Sequence, residues 1–187
     1  MSVDHLALGV GARTKAFEHR ALFYRTDEEF RSVTLPFVDE GLARGHAEFD
    51  ATSNANRAKL EAGLGDRRSD VRFLDSTEWY SDPSSTLGGY RRLVDEQVAS
   101  GYGRIRVVGE PVWAGRSPEE TNRWHRYESM INLVFASSPA TILCPYDAGS
   151  LAPGIIETAQ RTHPEVSTAA DVASSPDFRD PASFLLG

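Results

Sequence analysis

The chain has 187 residues, 40% of them hydrophobic and 25% charged, with a formal net charge of -7 at pH 7. This length and composition fit one globular domain built around one core. The acidic balance argues against direct nucleic-acid binding as the main function, because neutralising phosphates requires clustered Lys and Arg.

Cysteine content and hydropathy bear on the cellular compartment. Cys144 is the single cysteine, so an internal disulfide is excluded and nothing indicates an oxidising environment. The first 15 residues lack the apolar core of a signal peptide, and no apolar run approaches the 18 or more residues of a spanning helix. We therefore expect a bacterial-type cytoplasmic protein without a membrane segment.

The first predicted elements are a strand and a helix. Residues 21–24 form a short apolar, aromatic run typical of a buried strand. Thr26 and Glu29 have the spacing of a capping box and predict a helix start, and Gly45 predicts its end. Pro36 lies inside this helix and predicts a kink or a break.

The rest of the chain alternates in the same way. Ser117, followed by Pro118 and Glu120, gives a strong helix start. Between residues 79 and 89, clustered Ser, Pro and Gly predict a loop. The other predicted strands are residues 46–51, 71–75, 104–108 and 140–144, and the other predicted helices are residues 54–64, 90–99, 117–136 and 153–162.

Alternating strands and helices predict an α/β fold. We expect a three-layer sandwich, with a mainly parallel sheet of about five or more strands between two layers of helices. The predicted domain covers residues 17–165. It is preceded by a leader (1–16) and followed by an extended C-terminal arm or linker (166–187), where periodicity is weak.

Polar residues follow several of the predicted strands. In open parallel sheets, ligands bind beyond the carboxyl ends of the strands, so these residues are candidates for one site. Alternatively, they only cap helices and turns. The residues concerned are Tyr24, Arg25, Asp75, Glu110, Tyr146 and Asp147.

The helix that begins near Ser117 carries a second signal. Trp124, Glu128 and Asn132 are spaced four residues apart and share one face among apolar neighbours. A carboxylate and an amide need partners if they are buried. Either they bond structurally to Arg104, Arg106 or Arg116, or they line a pocket.

Familiar catalytic and cofactor motifs are missing. The first strand-to-helix turn, residues 24–29, has no glycine or lysine and three acidic residues, so it cannot act as a phosphate-binding loop. The five histidines show no metal-ligand spacing with each other or with Cys144, and surface or capping roles are expected for them. Cys144 is either a buried inert thiol, a nucleophile or a redox sensor. No catalytic residue, metal or cofactor is predicted.

A series of short motifs in a fixed order resembles the MEDS family of bacterial sensory domains. The resemblance spans roughly residues 17–165. Family members include the ligand-sensing part of a dichloromethane-responsive repressor, and others precede histidine-kinase-like ATPase modules in anti-sigma-factor regulators. The motifs are His19–Tyr24, Pro36-Phe37 with Gly41-Leu42, Val71–Asp75, Arg106–Trp113, Gly115–Ser117, Tyr127-Glu128 with Asn132, Cys144–Asp147 and Arg161–Pro164.

The resemblance implies a degenerate RecA- or KaiC-like core that has lost its phosphate-binding loop. It also implies a module that binds a small organic molecule and regulates a separate or fused partner, whether a histidine-kinase-like ATPase, an anti-sigma or a transcription module. The positions it implies for ligand binding are Tyr24, Arg116, Glu128, Asn132, Tyr146, Asp147 and His163, with Arg25, Asp75, Glu110 and Cys144 as further rim candidates.

Two departures from the family pattern bear on the pocket. The second strand is usually apolar, but here Glu48 and Asp50 alternate onto one face, so the strand lies at an edge or the pocket differs. The segment 81–83 lacks the Asn-Pro that the pattern carries there.

Three functions follow as hypotheses. The first is a sensor of a small apolar or amphipathic ligand, with or without homodimer formation. The second is a ligand-free protein-interaction module whose interface is made of aromatic residues. The third is a residual nucleotide-binding enzyme, against which the acidic first turn argues. The interface aromatics would be Trp79, Tyr80, Tyr90, Tyr102 and Trp113.

Overall fold

A computed structural model describes residues 16–186. Its strands are β1 (Phe17–Tyr24), β2 (Ala47–Ala51), β3 (Val71–Phe73), β4 (Ile105–Gly109), β5 (Ala140–Asp147), β6 (Glu165–Ser167) and β7 (Val172–Ser174). Its helices are α1 (Asp27–Ala43), α2 (Asn54–Leu64), α3 (Ser76–Trp79), α4 (Pro83–Ala99), α5 (Pro118–Val134), α6 (Pro153–Thr162) and α7 (Pro181–Leu186), with a 3₁₀ helix at Gly65–Asp70.

The strands form one sheet in the order β3-β2-β4-β5-β1-β6-β7. Every neighbouring pair is parallel except β6 and β7. Helices cover both faces: α4, α5 and α6 pack against one face, and α1 and α2 pack against the other. The predicted α/β sandwich with a mainly parallel sheet is therefore confirmed.

Both predicted capping boxes are present. The Thr26 side chain accepts a hydrogen bond from Glu29 N at the start of α1, and Ser117 does the same for Glu120 N at the start of α5. In each box the glutamate side chain bonds back to the cap backbone, so two otherwise unpaired N–H groups are satisfied. Helix α1 runs through Pro36 without the predicted break.

The prediction of a loop at residues 79–89 is wrong, because α4 already begins at Pro83. Asp82 caps a helix by accepting from Ser85 N, and Pro83 occupies the first helical position, where its missing N–H costs nothing. One of the small residues that suggested a loop, Gly89, serves packing instead. A Cβ on Gly89 would lie 3.0 Å from the Trp79 ring, so a glycine allows α4 to approach α3 closely.

Strand β2 is not at the edge of the sheet. It pairs with β3 on one side and with β4 on the other, and all five of its residues are buried. The edge position considered for this acidic strand is therefore wrong. Glu48 points beneath α1, where its Oε1 lies 3.4 Å from Arg106 Nε.

The segment after Glu165, expected to form an arm or linker, packs against the domain. Strand β6 pairs with β1, and β7 folds back antiparallel on β6. Helix α7 packs on α5, where Arg126 Nη1 donates to Leu185 O at 3.0 Å. Within residues 16–186, no helix combines the length and apolar character needed to cross a bilayer.

Candidate functional site

A cavity of about 300 Å³ opens at the carboxyl ends of the central strands, and we call it the rim pocket. Tyr24 lines it, together with the first turns of α2, the segment after β4 and the end of β5 with the turn behind it. Pairing of β4 with β5 ends at Val108 and Leu143, and beyond this point the chain after β4 separates from β5. The pocket lies where open parallel sheets bind ligands.

Tyr24, Asn56 and Glu110 form the polar side of the rim pocket. Asn56 Nδ2 donates to Tyr24 OH at 2.9 Å and to Glu110 Oε1 at 3.0 Å. Ser53 N donates to Glu110 Oε2 at 2.7 Å, which fixes the carboxylate at the start of α2. Burial raises the pKa of Tyr24 to about 12, so its hydroxyl is protonated at neutral pH and can donate to a ligand.

Apolar side chains make up another part of the lining of the rim pocket. Trp113 is 8% exposed and lines the pocket with Val112 and Leu151. Asp147 also lines it, and its Oδ1 accepts from Gly149 N at 2.9 Å. An apolar and aromatic lining with a few fixed polar groups is the usual make-up of a small-molecule site.

A second group of side chains, the buried histidine cluster, consists of His19, Glu128, Cys144 and His163. They come from β1, α5, β5 and the end of α6, and none is more than 2% exposed. Glu128 Oε2 lies 3.4 Å from His19 Nε2 and 3.6 Å from His163 Nε2, and Cys144 Sγ lies 3.5 Å from His19 Nε2. Four groups able to bind a metal therefore face one another in the core.

Hydrogen bonds from Nδ1 orient the rings of both His19 and His163. His163 Nδ1 lies 2.9 Å from Ala159 O, and a carbonyl oxygen can only accept. His19 Nδ1 lies 3.2 Å from Asn132 Oδ1. The orientation of that amide is set by its own donor, which bonds to Thr162 O at 2.8 Å. Both Nδ1 atoms are therefore assigned as N–H donors, and both Nε2 atoms face the cluster.

Burial dominates the electrostatics of the cluster. It lowers the pKa of His19 and of His163 to about 3, so both rings are neutral at neutral pH. It also raises the pKa of Glu128 to about 7 and that of the Cys144 thiol well above its usual value. The close contacts of Glu128 with the two rings are therefore not ion pairs, because the rings carry no charge.

The surface or capping role expected for the histidines is wrong for the buried His19, whereas His163, also buried, is the C-cap residue of α6 and bonds to Ala159 O. Sequence patterns placed the start of β1 at Ala21, whereas the strand begins at Phe17. Since side chains alternate along a strand, His19 lies on the same buried face as Ala21. Recognising the longer strand would have identified His19.

Two roles were left open for Glu128 and Asn132, bonding to an arginine or lining a pocket, and Asn132 does line a cavity of about 240 Å³ beside Phe17 and His19. Neither residue bonds to Arg104, Arg106 or Arg116 among the contacts of the described residues. Neither lines the rim pocket. Glu128 belongs to the buried histidine cluster, and Asn132 bonds to its member His19. Tyr146 lies beside the cluster, with its ring centroid 5.5 Å from that of His163.

The remaining predicted positions lie outside both groups. Arg116 stacks on Trp124 and donates to Tyr80 O at 2.9 Å. Asp75 caps α3, and Arg25 is exposed and donates to Ala148 O. The rim pocket thus contains Tyr24, Glu110 and Asp147 of the predicted residues. The sequence analysis missed Asn56, Lys59 and Trp113, which also line it.

The aromatic residues considered as an interaction surface are mostly internal. Tyr80 and Tyr90 are each 2% exposed, and their hydroxyls share a hydrogen bond of 2.7 Å. Trp113 is buried and Trp79 partly buried, which leaves Tyr102 as the exposed member of the set. Tyr80, Tyr90 and Trp113 are therefore not accessible for the interface expected from them.

Comparison with protein families shows a match over residues 18–164 to the model for MEDS, the methanogen/methylotroph DcmR sensory domain. The chain belongs to the MEDS family. The match confirms the resemblance, and it includes every residue of the buried histidine cluster and of the rim pocket. The family description gives the MEDS domain a sensory role. A comparison with curated proteins gave no match.

Proposed function

We propose that this MEDS domain senses a small amphipathic organic molecule, which binds in the rim pocket and alters contact with a regulatory partner. The observation that carries the proposal is a cavity at the carboxyl ends of the strands that is lined by both polar and apolar side chains, Trp113 among them. The partner would be a kinase-like, anti-sigma or transcription module, as the family resemblance implies.

The pocket limits the chemistry of the ligand. Its volume of about 300 Å³ is at the lower end of small-molecule sites. The Tyr24 hydroxyl supplies a donor, and the carboxylates of Glu110 and Asp147 supply acceptors. A short molecule with a hydroxyl or amino group at one end and an apolar remainder against Trp113 fits this arrangement.

The pocket also offers a means of signalling. Its walls come from separate segments: the start of α2, the chain after β4 and the turn between β5 and α6. A ligand that touches all three binds best when they are close together, and this difference in affinity shifts the population of conformations. Because these segments lie outside the sheet, a change in their conformation could alter the surface that contacts a partner.

The first experiment is native mass spectrometry of the purified protein, compared with its denatured mass. The variants for the second experiment are Ala55→Trp, which fills the pocket from an exposed position on α2, and Ala58→Trp, an exposed position on the same helix outside the pocket. Thermal shift and NMR titration would use a panel of short alcohols, primary amines and halogenated methanes.

We expect a panel member, or a co-purified compound, to bind the wild type and Ala58→Trp saturably and to lose most of its affinity for Ala55→Trp. A ligand that binds only the folded protein raises the melting temperature, and the stabilisation grows with the logarithm of ligand concentration above the Kd. Equal binding to both variants would place the site elsewhere. Absence of any ligand, with a partner bound equally well by stripped protein, would favour the interaction module. Stabilisation by ATP would favour the residual nucleotide-binding enzyme.

A further inference from the structure

We propose that the buried histidine cluster is a binding site for one divalent transition-metal ion of the zinc type, held by His19, Glu128, Cys144 and His163. The site is separate from the rim pocket, and its existence does not depend on the function proposed for that pocket. It could not be found from sequence spacing, because its members are brought together by four different elements.

Three of the six separations between the ligand atoms fit tetrahedral coordination. Glu128 Oε2 lies 3.4 Å from His19 Nε2 and 3.6 Å from His163 Nε2, Cys144 Sγ lies 3.5 Å from His19 Nε2, and the other three separations are no more than 4.8 Å. Zinc binds imidazole nitrogen and carboxylate oxygen at about 2.0–2.2 Å and thiolate sulfur at about 2.3 Å. A tetrahedron with such bonds has edges of roughly 3.3–3.8 Å, which includes all three values.

The outer hydrogen bonds prepare both rings for metal binding. Each histidine donates its Nδ1 proton, one to Asn132 and the other to the Ala159 carbonyl, so each Nε2 carries a free electron pair. Both pairs point toward the carboxylate of Glu128. No described residue donates a hydrogen bond to either Glu128 oxygen or to His163 Nε2. Buried acceptors left in this arrangement are costly unless a proton or a metal cation joins them, and one divalent ion would join all of them at once.

The charges also fit a divalent ion. A thiolate from Cys144 and a carboxylate from Glu128 balance two positive charges, while the two histidines bind as neutral ligands. The loaded site would thus be neutral overall, which suits a place with no more than 2% exposure. Nitrogen and sulfur ligands disfavour calcium and magnesium, which prefer oxygen.

A thiol nucleophile is the main alternative for these residues. Cys144, His19 and Asn132 are arranged in the order of a nucleophile, a base and an orienting amide. However, Cys144 and His19 are enclosed in the core, and such a reading gives no role to Glu128 and His163. Four protein ligands complete a tetrahedron and leave no position for substrate, so the ion would hold β1, β5, α5 and α6 together.

The experiment uses the full chain with its affinity tag removed. Metal content would be measured by mass spectrometry of the elements. The chelated protein, kept reduced and free of oxygen, would then be titrated with Co²⁺ alone and with Zn²⁺ alone. Variants are Cys144→Ala, the near-isosteric Glu128→Gln, and Asn132→Ala, which removes the acceptor for His19. His125→Ala, on α5 outside the cluster, is the control. Circular dichroism would verify that each variant is folded.

We expect one Co²⁺ per chain, with the visible absorption of a tetrahedral site and a thiolate charge-transfer band that Zn²⁺ removes. Cys144→Ala should lose that band, Asn132→Ala should bind roughly 10–100-fold more weakly, and His125→Ala should match the wild type. Glu128→Gln should also weaken binding. Folded wild-type protein that takes up no metal would overturn the proposal. So would uptake that Cys144→Ala and Glu128→Gln leave unchanged, since the metal would then bind elsewhere.

Discussion

The ionisation of one buried side chain, Asp50, affects the stability of the whole domain. It is 1% exposed, and its Oδ2 accepts from Thr52 Oγ1 at 3.0 Å, while Oδ1 has no partner among the described residues. Burial raises the pKa of Asp50 from its usual 3.8 to about 7. It outweighs the hydrogen bonds from Thr52 and the charge of Arg57, which lower the pKa, while the charge of Glu110 raises it further.

This shift predicts that Asp50 destabilises the fold as pH rises from about 4 to about 7. In that window the unfolded chain loses the proton and the folded chain keeps it, so the free energy of unfolding falls by up to about 1.4 kcal/mol per pH unit. Asp50→Asn keeps an acceptor for Thr52 but cannot ionise. Urea unfolding at about pH 5 and about pH 8 should show a smaller loss of stability for this variant than for the wild type.

Some pH dependence should remain in Asp50→Asn, because burial also raises the pKa of Glu48, to about 8. Asp95→Asn, at an exposed position on α4, is the control and should behave as the wild type does. A slope equal in Asp50→Asn and in the wild type would show that Asp50 is ionised in the folded state.

At the scale of elements, α1 rests unusually close to the sheet. Gly41 is buried on α1 directly above the ends of two side chains from β2 and β4. A Cβ at this position would lie 1.5 Å from Glu48 Oε1 and 2.6 Å from Arg106 Cδ. The same Arg106 donates to Phe37 O at 2.8 Å, which ties the buried pair to the backbone of α1. A glycine is therefore required for space and not for backbone conformation.

Gly41→Ala should destabilise the domain by about 1–3 kcal/mol, because overpacking forces the helix or the buried pair to move. Gly154→Ala is the matched control in α6, where an added Cβ meets nothing within 4 Å. It should be neutral or stabilise by up to about 1 kcal/mol. Urea denaturation gives both values. In the Glu48→Ala background the cost of Gly41→Ala should fall, and an unchanged cost would contradict this account.

At the scale of the molecule, the C-terminal segment extends the structure beyond the family match. The match ends at residue 164, yet β6 pairs Glu165 and Val166 with β1. Ser175 Oγ donates to Gln160 O at 2.8 Å, and Arg179 N donates to Arg161 O at 2.9 Å. The segment therefore adds hydrogen bonds to α6 as well as strands to the sheet.

Removal of residues 169–187 should lower the melting temperature, since it uncovers β6 and the face of α5 beneath α7. Unfolding should remain cooperative because the main core lies elsewhere. Leu186→Ala changes a side chain that is 90% exposed and should have little effect. An unchanged melting temperature in the truncated protein would support the arm or linker predicted from sequence.

The sequence by itself determined the fold class, most of the elements and the family. Apolar runs and capping boxes depend only on residues close together in the sequence. The helix starts at Thr26–Glu29 and Ser117–Glu120 could therefore be predicted directly from the sequence. The rim was also predicted, since carboxyl ends of parallel strands share one edge, and Tyr24, Glu110 and Asp147 do line its pocket. The RecA-like relation, the ligand and the partner remain predictions.

Tertiary structure alone decided where β2 and the C-terminal segment lie and which polar side chains meet in the core. From the sequence alone, Glu48 suggests an edge strand. Only the pairing of β2 with β3 and β4 shows that the strand is internal. His19 and His163 are 144 positions apart and meet because β1 passes the end of α6. Such contacts depend on strand order and helix packing, which local periodicity does not encode.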